Sequence, residues 1–226
     1  MSYDAIIFDF DGVLISSRST PAGIYEEATR DLLTAFGQPQ TNEWPLALQN
    51  PGSAAEFRAV CTQFDLPPAA AWTYREAAAS GIERSWIGNP ERQRYADAEV
   101  LSTLSDEYAI GIASNNRHAL VAHCVDRFDW GDFVDAQRGR YPTLEEFDHR
   151  KPDPRFIEWT IEAMGVSNPL YVGDRATDVI AAERVGCDAA LLTRSGVTPP
   201  ESAAPAFEIA SLRELEELAT TDWIAT

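Results

Sequence analysis

Residues 4–12 read DAIIFDFDG, an apolar run that ends in two aspartates and a glycine. An apolar run of this length before a turn residue is typical of a buried strand. Gly12 allows a sharp turn, which would keep Asp9 and Asp11 near each other. In so acidic a chain, two carboxylates with this spacing also occur by chance, and a solvated strand end is the alternative interpretation. A functional role for the pair is favoured if further polar groups lie beside it at one edge of a sheet.

Three later segments repeat the pattern of an apolar run that ends in polar residues. They lie at residues 109–116, 170–174 and 189–196. Stretches with helical signals separate them, at about residues 116–128, 154–164 and 176–185. Strands that alternate with helices predict an α/β fold, with a Rossmann-like parallel sheet covered on both faces. In such sheets the functional site lies at the carboxyl ends of the strands.

The stretch between the first and second predicted strands has a different pattern, which is helical throughout. Apolar residues at helical spacing predict a first helix over Ile24, Ala28, Leu32 and Phe36, which Gly37 and Pro39 end. Further helices are expected near residues 53–64, 69–86 and 91–105. An all-helical insertion of this kind predicts a cap. The expected domains are an α/β core of residues 1–16 and 97–226 and a helical cap of residues 17–96.

Composition limits the partners of the 226-residue chain. Thirty-six acidic and eighteen basic residues give a formal charge of -18, which repels nucleic acid and anionic membranes. No apolar run reaches the roughly 18 residues of a membrane helix, and the first residues do not resemble a secretory signal. We therefore expect a cytoplasmic protein with no nucleic-acid or membrane partner. Cys61, Cys124 and Cys187 lie far apart and are expected to be buried free thiols.

Lysine is almost absent, because seventeen of the eighteen basic residues are arginines and Lys151 is the only lysine. Many carboxylates with almost no lysine resemble the composition of halophilic proteins, in which molar salt screens self-repulsion. An ordinary acidic protein from an arginine-rich genome is the alternative. Lys151 precedes Pro152-Asp153-Pro154, where a helix is predicted to begin. Since ammonium and guanidinium are not interchangeable in a tight site, we expect a functional role for Lys151, with an incidental surface lysine as the alternative.

Polar groups also follow the other predicted strands. Asp174 and Asp178 come after one apolar run, and Ser114 follows another. Converging carboxylates repel one another unless a cation lies among them, and oxygen ligands without histidine or cysteine suit Mg²⁺. Ser114 lies just before a predicted helix, where a hydroxyl and backbone N–H groups suit a phosphate oxygen, although such a serine is more often a helix cap.

Four motifs in this order resemble those of the haloacid dehalogenase (HAD) superfamily. They are Asp9-Phe-Asp11-Gly12-Val-Leu, Ile112-Ala-Ser114-Asn, Arg150-Lys151-Pro-Asp-Pro and Val172-Gly-Asp174-Arg-Ala-Thr-Asp178. The helical block resembles the cap of that superfamily, and the phosphoglycolate phosphatase-like branch is the most similar. The resemblance implies a Mg²⁺-dependent phosphatase that acts on a small phosphorylated metabolite.

The resemblance also implies a role for each matched residue. Asp9 would be the nucleophile that forms an aspartyl-phosphate, and Asp11 would be the general acid and then the base. The residues that would hold Mg²⁺ are Asp9, Asp11 through its carbonyl, Asp174 and Asp178. The residues that would bind the phosphoryl oxygens are Ser114, Asn115 and Lys151. Asp11 argues against the dehalogenase branch, which lacks this second acid.

Other interpretations stay open at this point. A sugar phosphomutase of the same superfamily would share every core residue. A phosphoaccepting signalling or binding module would also combine aspartates with a lysine, although such modules are shorter and have no helical insertion. The segment 137–150 carries Arg138, Arg140 and Arg150 among carboxylates, and we interpret it as a salt-bridged surface loop in preference to an anion-binding patch.

The net charge leads to a prediction about salt. A charge of -18 on 226 residues is strongly self-repelling in dilute buffer, so stability and activity are expected to rise toward molar KCl. Thermal unfolding across a KCl series checks this. A midpoint that is highest in dilute buffer would exclude the halophilic interpretation.

Overall fold

A six-stranded parallel sheet forms the centre of the molecule. The computed structural model describes residues 3–16, 22–39, 44–89, 92–195, 204–220 and 223. The strands are β1 (Ala5–Phe8), β2 (Ala109–Arg117), β3 (Ala136–Arg140), β4 (Pro169–Gly173), β5 (Asp188–Leu192) and β6 (Phe207–Ile209). Their order in the sheet is β3-β2-β1-β4-β5-β6, and every neighbouring pair is parallel. The predicted α/β fold is confirmed.

Helices separate and follow these strands. Those between β1 and β2 are α1 (Ala22–Ala35), α2 (Leu46–Gln49), α3 (Ala54–Gln63), α4 (Pro68–Arg84) and α5 (Val100–Leu104). Those that follow are α6 (His118–Arg127), α7 (Leu144–Asp148), α8 (Arg155–Met164), α9 (Ala176–Val185) and α10 (Glu214–Thr220). Helix α9 has the predicted bounds and ends at Gly186, whose φ of 77° places it in the left-handed conformation that favours glycine.

Side chains of β1 alternate between two hydrophobic layers. Ile6 and Phe8 belong to a layer shared with α6 and α10, whereas Ile7 belongs to a layer shared with α8 and α9. All three side chains are fully buried. Because successive strand residues point to opposite faces, the sheet is the middle of three layers.

The helical block, which we define as α1 to α4, has a hydrophobic cluster of its own. The rings of Phe57 and Trp72 pack edge to face with their centroids 4.9 Å apart. Trp72 also packs against Phe147 of α7, at 4.7 Å. The block therefore rests on the part of the chain that follows β3.

Strand order places a crevice beside β1. The chain runs from β1 to β2 on one side and later reaches β4 on the other side. Ligands bind outside the carboxyl ends of parallel strands at such a switch point. Strand β2 continues past its expected end, since Ala113 pairs with Arg138 and Arg117 pairs with Arg140 across an irregular register. Residues 114–116 lie in this irregular part, and α6 begins at His118, two residues later than predicted.

Two sequence-based expectations are wrong. Residues 92–95 are not helical: they pair with the segment after β1, where Ser16 N–H donates to Gln93 O at 2.8 Å, and α5 begins only at Val100. Residues 137–150 are not a surface loop, because they contain most of β3 and all of α7, and Arg138 and Arg140 are buried. Pairing with distant segments outweighed local pattern in both places.

Other expectations are confirmed or lie outside the described residues. Cys61 and Cys124 are buried free thiols, whereas Cys187 is partly exposed. Residues 17–21, where the block is entered, lie outside the described part. Within that part, no helix combines the length and the apolar character that crossing a membrane requires.

A matched pair of substitutions tests the packing. Leu120 of α6 is fully buried, whereas Leu46 is 69% exposed. We expect Leu120→Ala to lower the free energy of unfolding by about 2–5 kcal/mol. Leu46→Ala should change it by less than about 0.5 kcal/mol. Urea denaturation of both variants measures the difference, and equal losses would contradict the described core.

Candidate active site

Three buried carboxylates meet at the carboxyl ends of β1 and β4. Asp9 follows β1, Asp174 follows β4, and Asp178 lies in the first turn of α9. One oxygen from each lies within 4.8 Å of the others. The Asp9 N–H donates to the carbonyl of Val172 at 2.8 Å, so the sheet ladder itself fixes the nucleophile position predicted from the sequence.

Two glycines allow this convergence. A Cβ on Gly12, whose φ is 83°, would lie 2.0 Å from Oδ2 of Asp174. A Cβ on Gly173 would lie 2.3 Å from Cβ of Asp178. Real side-chain atoms do not approach this closely. Asp174 and Asp178 can therefore occupy these positions only because residues 12 and 173 are glycines.

Lys151 lies among the carboxylates. Its Nζ is 2.8 Å from Oδ1 of Asp9 and 2.6 Å from Oδ1 of Asp178. Burial alone lowers the pKa of an ammonium, but the charges of Asp178 and Asp9 outweigh it and hold the pKa of Lys151 well above its usual value. The side chain is only 2% exposed, so Lys151 is not an incidental surface lysine.

Tyr171, which the sequence analysis missed, completes the surroundings of Lys151. Lys151 Nζ donates to the Tyr171 hydroxyl at 2.6 Å, and this hydroxyl donates to the carbonyl of Ala113 at 2.8 Å. Burial raises the pKa of Tyr171 well above its usual value, so the phenol keeps its proton. A tyrosine in an apolar strand gives no sequence signal that separates it from core residues.

The residues fit a divalent cation. Three carboxylates and one ammonium carry a formal charge of minus two, which such a cation balances. Oδ1 of Asp174 is buried and accepts no hydrogen bond from the described residues. Burial is the main cause that raises the pKa of Asp174 to about 7, and the negative charges of Asp9 and Asp178 add to it. A nearby cation would relieve the repulsion among the three carboxylates. Oxygen ligands alone suit Mg²⁺.

Asp178 differs from the other two carboxylates because both of its oxygens have partners. Oδ1 lies against Lys151, and Oδ2 accepts from the backbone N–H of Arg175 at 3.0 Å. Asp178 therefore holds Lys151 in place, and its expected part in holding a metal stays a prediction.

Three consecutive polar residues near the end of β2 each contact a different partner. The Ser114 hydroxyl, which is buried, accepts from the backbone N–H of Asn116 at 3.2 Å. The Asn115 amide pairs with the backbone of Lys151, accepting at 2.6 Å and donating at 3.3 Å. Asn115 thus holds the lysine segment, and its expected contact with substrate stays a prediction. Asn116 donates to Oδ2 of Asp11 at 2.6 Å.

Asp11 is held from its other side by an arginine that the sequence analysis did not identify. Nη2 of Arg92 is 2.8 Å from Oδ1 of Asp11 and 2.6 Å from Oε1 of Glu83. Both Arg92 and Glu83 are buried. Arg92 fell within a segment that was expected to be helical, so no pattern connected it with Asp11.

Further ion pairs join the helical block to the sheet. Arg117, at the end of β2, lies 2.7 Å from Glu83 and 3.2 Å from Glu76, and both glutamates belong to α4. Arg140 of β3 lies 2.7 Å from Glu76. Burial raises the pKa of Glu76, but the charges of Arg140, Arg117 and Arg75 reverse this and lower it. Removing one member of such a buried pair costs about 3–5 kcal/mol, so these contacts fix where the block rests.

The chain belongs to the haloacid dehalogenase-like hydrolases. A family model with this description matches residues 3–186, which is most of the chain. The superfamily resemblance of the four motifs is therefore confirmed, and the chain is an enzyme of this hydrolase family.

Individual relatives cover most of the chain at low identity. The phosphoglycolate phosphatase of Vibrio cholerae is 24% identical over 194 residues, which are 82% of either chain. A HAD phosphatase from Thermococcus onnurineus has a TM-score of 0.62 and 21% identity, covering 97% of this chain and 98% of its own. A Bacillus subtilis protein described as a HAD hydrolase, in a structure with bound magnesium, has a TM-score of 0.60 and 16% identity, covering 96% and 99%. These structures share the fold.

Substituting Gly12 tests the carboxylate arrangement. Gly12→Ala is expected to lower the free energy of unfolding by about 1–3 kcal/mol, because of its positive φ and the contact with Asp174. Gly81→Ala is the control: Gly81 lies in α4 with open space around it, and the change should be neutral or stabilise by up to about 1 kcal/mol. Combining Gly12→Ala with Asp174→Ala should restore on the order of 1 kcal/mol in a double-mutant cycle by urea denaturation. Strictly additive losses would contradict the close approach.

Proposed function

We propose that this enzyme is a Mg²⁺-dependent phosphatase that hydrolyses a small phosphorylated metabolite through an aspartyl-phosphate on Asp9. One observation carries the proposal: the buried Asp9 carboxylate is paired with the Lys151 ammonium, and two further carboxylates lie beside it. Family membership supports the hydrolase chemistry. The Vibrio cholerae relative supports a phosphoric monoester as the substrate, and 2-phosphoglycolate is the first compound to test.

Asp9 is the proposed nucleophile. An Asp9 oxygen bonds to phosphorus while the bond between phosphorus and the ester oxygen breaks. Water later attacks the same phosphorus, the Asp9–phosphoryl bond breaks, and inorganic phosphate leaves. The residues that would hold Mg²⁺ are Asp9, Asp11 through its carbonyl, Asp174 and Asp178, and the charge of the ion would offset the repulsion between the carboxylate and the phosphate dianion.

Asp11 is the proposed acid and base. It gives a proton to the departing alkoxide in the first step and takes a proton from the attacking water in the second. Its two oxygens lie against Arg92 and Asn116, whereas Asp9 lies against Lys151. Distinct partners favour distinct roles for two carboxylates that are close in sequence.

Lys151 and Ser114 are proposed to bind phosphoryl oxygens. Lys151 presents a fixed positive charge beside Asp9, and Ser114 has a buried hydroxyl at the end of the regular pairing of β2. Both are held before substrate arrives, which is what electrostatic stabilisation of a transition state requires.

The helical block is proposed to form the main part of a cap, for which residues 17–96 are the proposed extent. The block lies over the carboxyl ends of β1 and β2, where Glu83 pairs with Arg92 and Arg117. This position supports a role in excluding bulk water. We also propose that the protein is cytoplasmic and halophilic and has no nucleic-acid or membrane partner. Its acidic composition supports the proposals about salt and partners.

A panel of phosphorylated metabolites, assayed with and without Mg²⁺, tests the proposed reaction. Release of inorganic phosphate that depends on Mg²⁺ is the expected result. A sugar phosphomutase would share the same core residues, so the panel includes a hexose 1-phosphate. Formation of an isomer in place of inorganic phosphate would replace the proposal by the mutase.

Two aspartate variants test the order of events. Asp9→Asn removes the nucleophile, so no phosphoenzyme forms with any substrate. Asp11→Asn keeps the nucleophile and loses the proton donor and acceptor, at a cost on the order of 10² to 10⁴ for each assisted step. A nitrophenyl ester needs no proton on leaving, so Asp11→Asn should release a burst of nitrophenol and accumulate an acid-stable, hydroxylamine-sensitive phosphoenzyme in rapid-quench experiments.

The location of the phosphoryl group decides the assignment. Label on Asp9 in the Asp11→Asn variant agrees with the proposed roles. Label that accumulates in the Asp9→Asn variant, or that maps to Asp174, would show that the nucleophile has been wrongly assigned.

A further inference from the structure

Arg92 is buried next to Asp11, but the proposed reaction gives it no role of its own. Its guanidinium is 2% exposed and places one nitrogen, Nη2, between Oδ1 of Asp11 and Oε1 of Glu83. The two carboxylates therefore share this nitrogen through ion pairs, and neither contact has the alignment of a hydrogen bond. Few solvent molecules reach this group, which makes the Coulomb attraction stronger than it would be at the surface.

Asp11 is clamped from two parts of the chain. Asn116, which follows the regular part of β2, donates to Oδ2 at 2.6 Å, and Arg92 holds Oδ1 from the segment that follows the helical block. The Asp11 side chain is 23% exposed and is therefore the only member of the Glu83–Arg92–Asp11 chain with appreciable access to solvent. A carboxylate with both oxygens held has little freedom to rotate.

Glu83 connects this clamp to the helical block. It lies in the last turn of α4, and its other oxygen is 2.7 Å from Arg117 at the end of β2. Arg92 is in turn fixed along the chain, because the Gly88 N–H donates to its carbonyl at 2.9 Å. A displacement of α4 relative to the sheet would therefore move the charge that faces Asp11.

We infer that Arg92 is a positioning residue for Asp11, and that Glu83 anchors Arg92 so that the place of the helical block on the sheet is coupled to the acid–base carboxylate. The inference rests on the proposed function, since it takes Asp11 to be the general acid and base. Arg92 touches neither the nucleophile nor the other two carboxylates of the cluster among the ion pairs of the described residues. Its influence would thus pass through Asp11 alone.

The leaving group of the substrate separates this role from a merely structural one. An alkyl phosphate such as 2-phosphoglycolate needs a proton from Asp11 when its alkoxide departs, whereas nitrophenolate leaves without one. Misplacing Asp11 should therefore slow the first step for the alkyl ester and spare it for the aryl ester. Partial unfolding or loss of substrate binding would slow both.

The experiment measures phosphoenzyme formation by rapid quench in Arg92→Gln, with 2-phosphoglycolate and with p-nitrophenyl phosphate. If the metabolite panel finds a better alkyl phosphate, that compound replaces 2-phosphoglycolate. We expect the alkyl rate to fall on the order of 10- to 100-fold with KM little changed, as for a displaced catalytic group. The aryl rate should stay within about threefold because its leaving group needs no proton. Arg94→Gln is the matched control, since Arg94 is exposed in the same segment, and both rates should be unchanged.

Two more variants keep the test informative if Arg92→Gln folds poorly. Arg92→Lys retains the charge and should recover part of the alkyl rate. Glu83→Gln should cause a smaller loss of the same selective kind, and this loss should vanish when Arg92 is already glutamine. Circular dichroism and the unfolding midpoint establish that each variant compared is folded.

Asp11→Asn separates failure of this inference from failure of the proposed function. If Asp11→Asn slows alkyl and aryl esters equally, the acid–base assignment itself is wrong. If Asp11→Asn is selective for the alkyl ester but Arg92→Gln is not, Arg92 does not position Asp11 and the inference is overturned. An effect of Glu83→Gln that persists unchanged in Arg92→Gln overturns the coupling to the helical block.

Discussion

The Lys151 ammonium lies 2.8 Å from Asp9 and 2.6 Å from Asp178. Several other features of the site hold these buried charges in place. Taking a charge out of water costs several kcal/mol unless partners compensate, so each of these groups needs the others in place. Asp9 is fixed by the ladder between β1 and β4, and Lys151 is fixed by the side chain of Asn115 on its backbone. Gly12 leaves the room in which the carboxylate of Asp174 can approach. The fold thus supplies preorganisation before any ligand binds.

A second set of charges begins at Asp11 and leads away from this cluster. It passes through Arg92 to Glu83 and then to Arg117, so it crosses from the segment after β1 to the helical block and back to the sheet. The two aspartates of the first motif, two residues apart, therefore belong to different electrostatic surroundings. Separate surroundings allow two carboxylates to take separate roles. Docking of the helical block and placement of Asp11 depend on the same ion pairs.

Sequence patterns predicted those parts of the fold and site in which local signals and tertiary structure agree. The apolar run before Asp9, the bounds of α9 and the convergence of Asp174 and Asp178 with Asp9 are of this kind. Strand β3 was missed because its residues AQRGR lack an apolar run, and Arg138 is buried there by pairing with Glu146 and by stacking over aromatic rings. Arg92 was missed because its role depends on a partner 81 positions earlier in the chain, which no local periodicity reveals.

The buried arginines and the one lysine meet different geometric requirements. A guanidinium presents several N–H groups in one plane, so Arg117 reaches Glu76 with one nitrogen and Glu83 with another. Buried pairs of this kind are screened little at molar ionic strength, where the Debye length is about 3 Å, whereas an exposed pair such as Arg30 with Glu26 is weakened. Lys151 has a different task, because a single nitrogen must face Asp9, Asp178 and the Tyr171 hydroxyl in three directions at once. A tetrahedral ammonium meets that requirement and a planar fork does not, which is why a chain that otherwise relies on arginine keeps a lysine at this position.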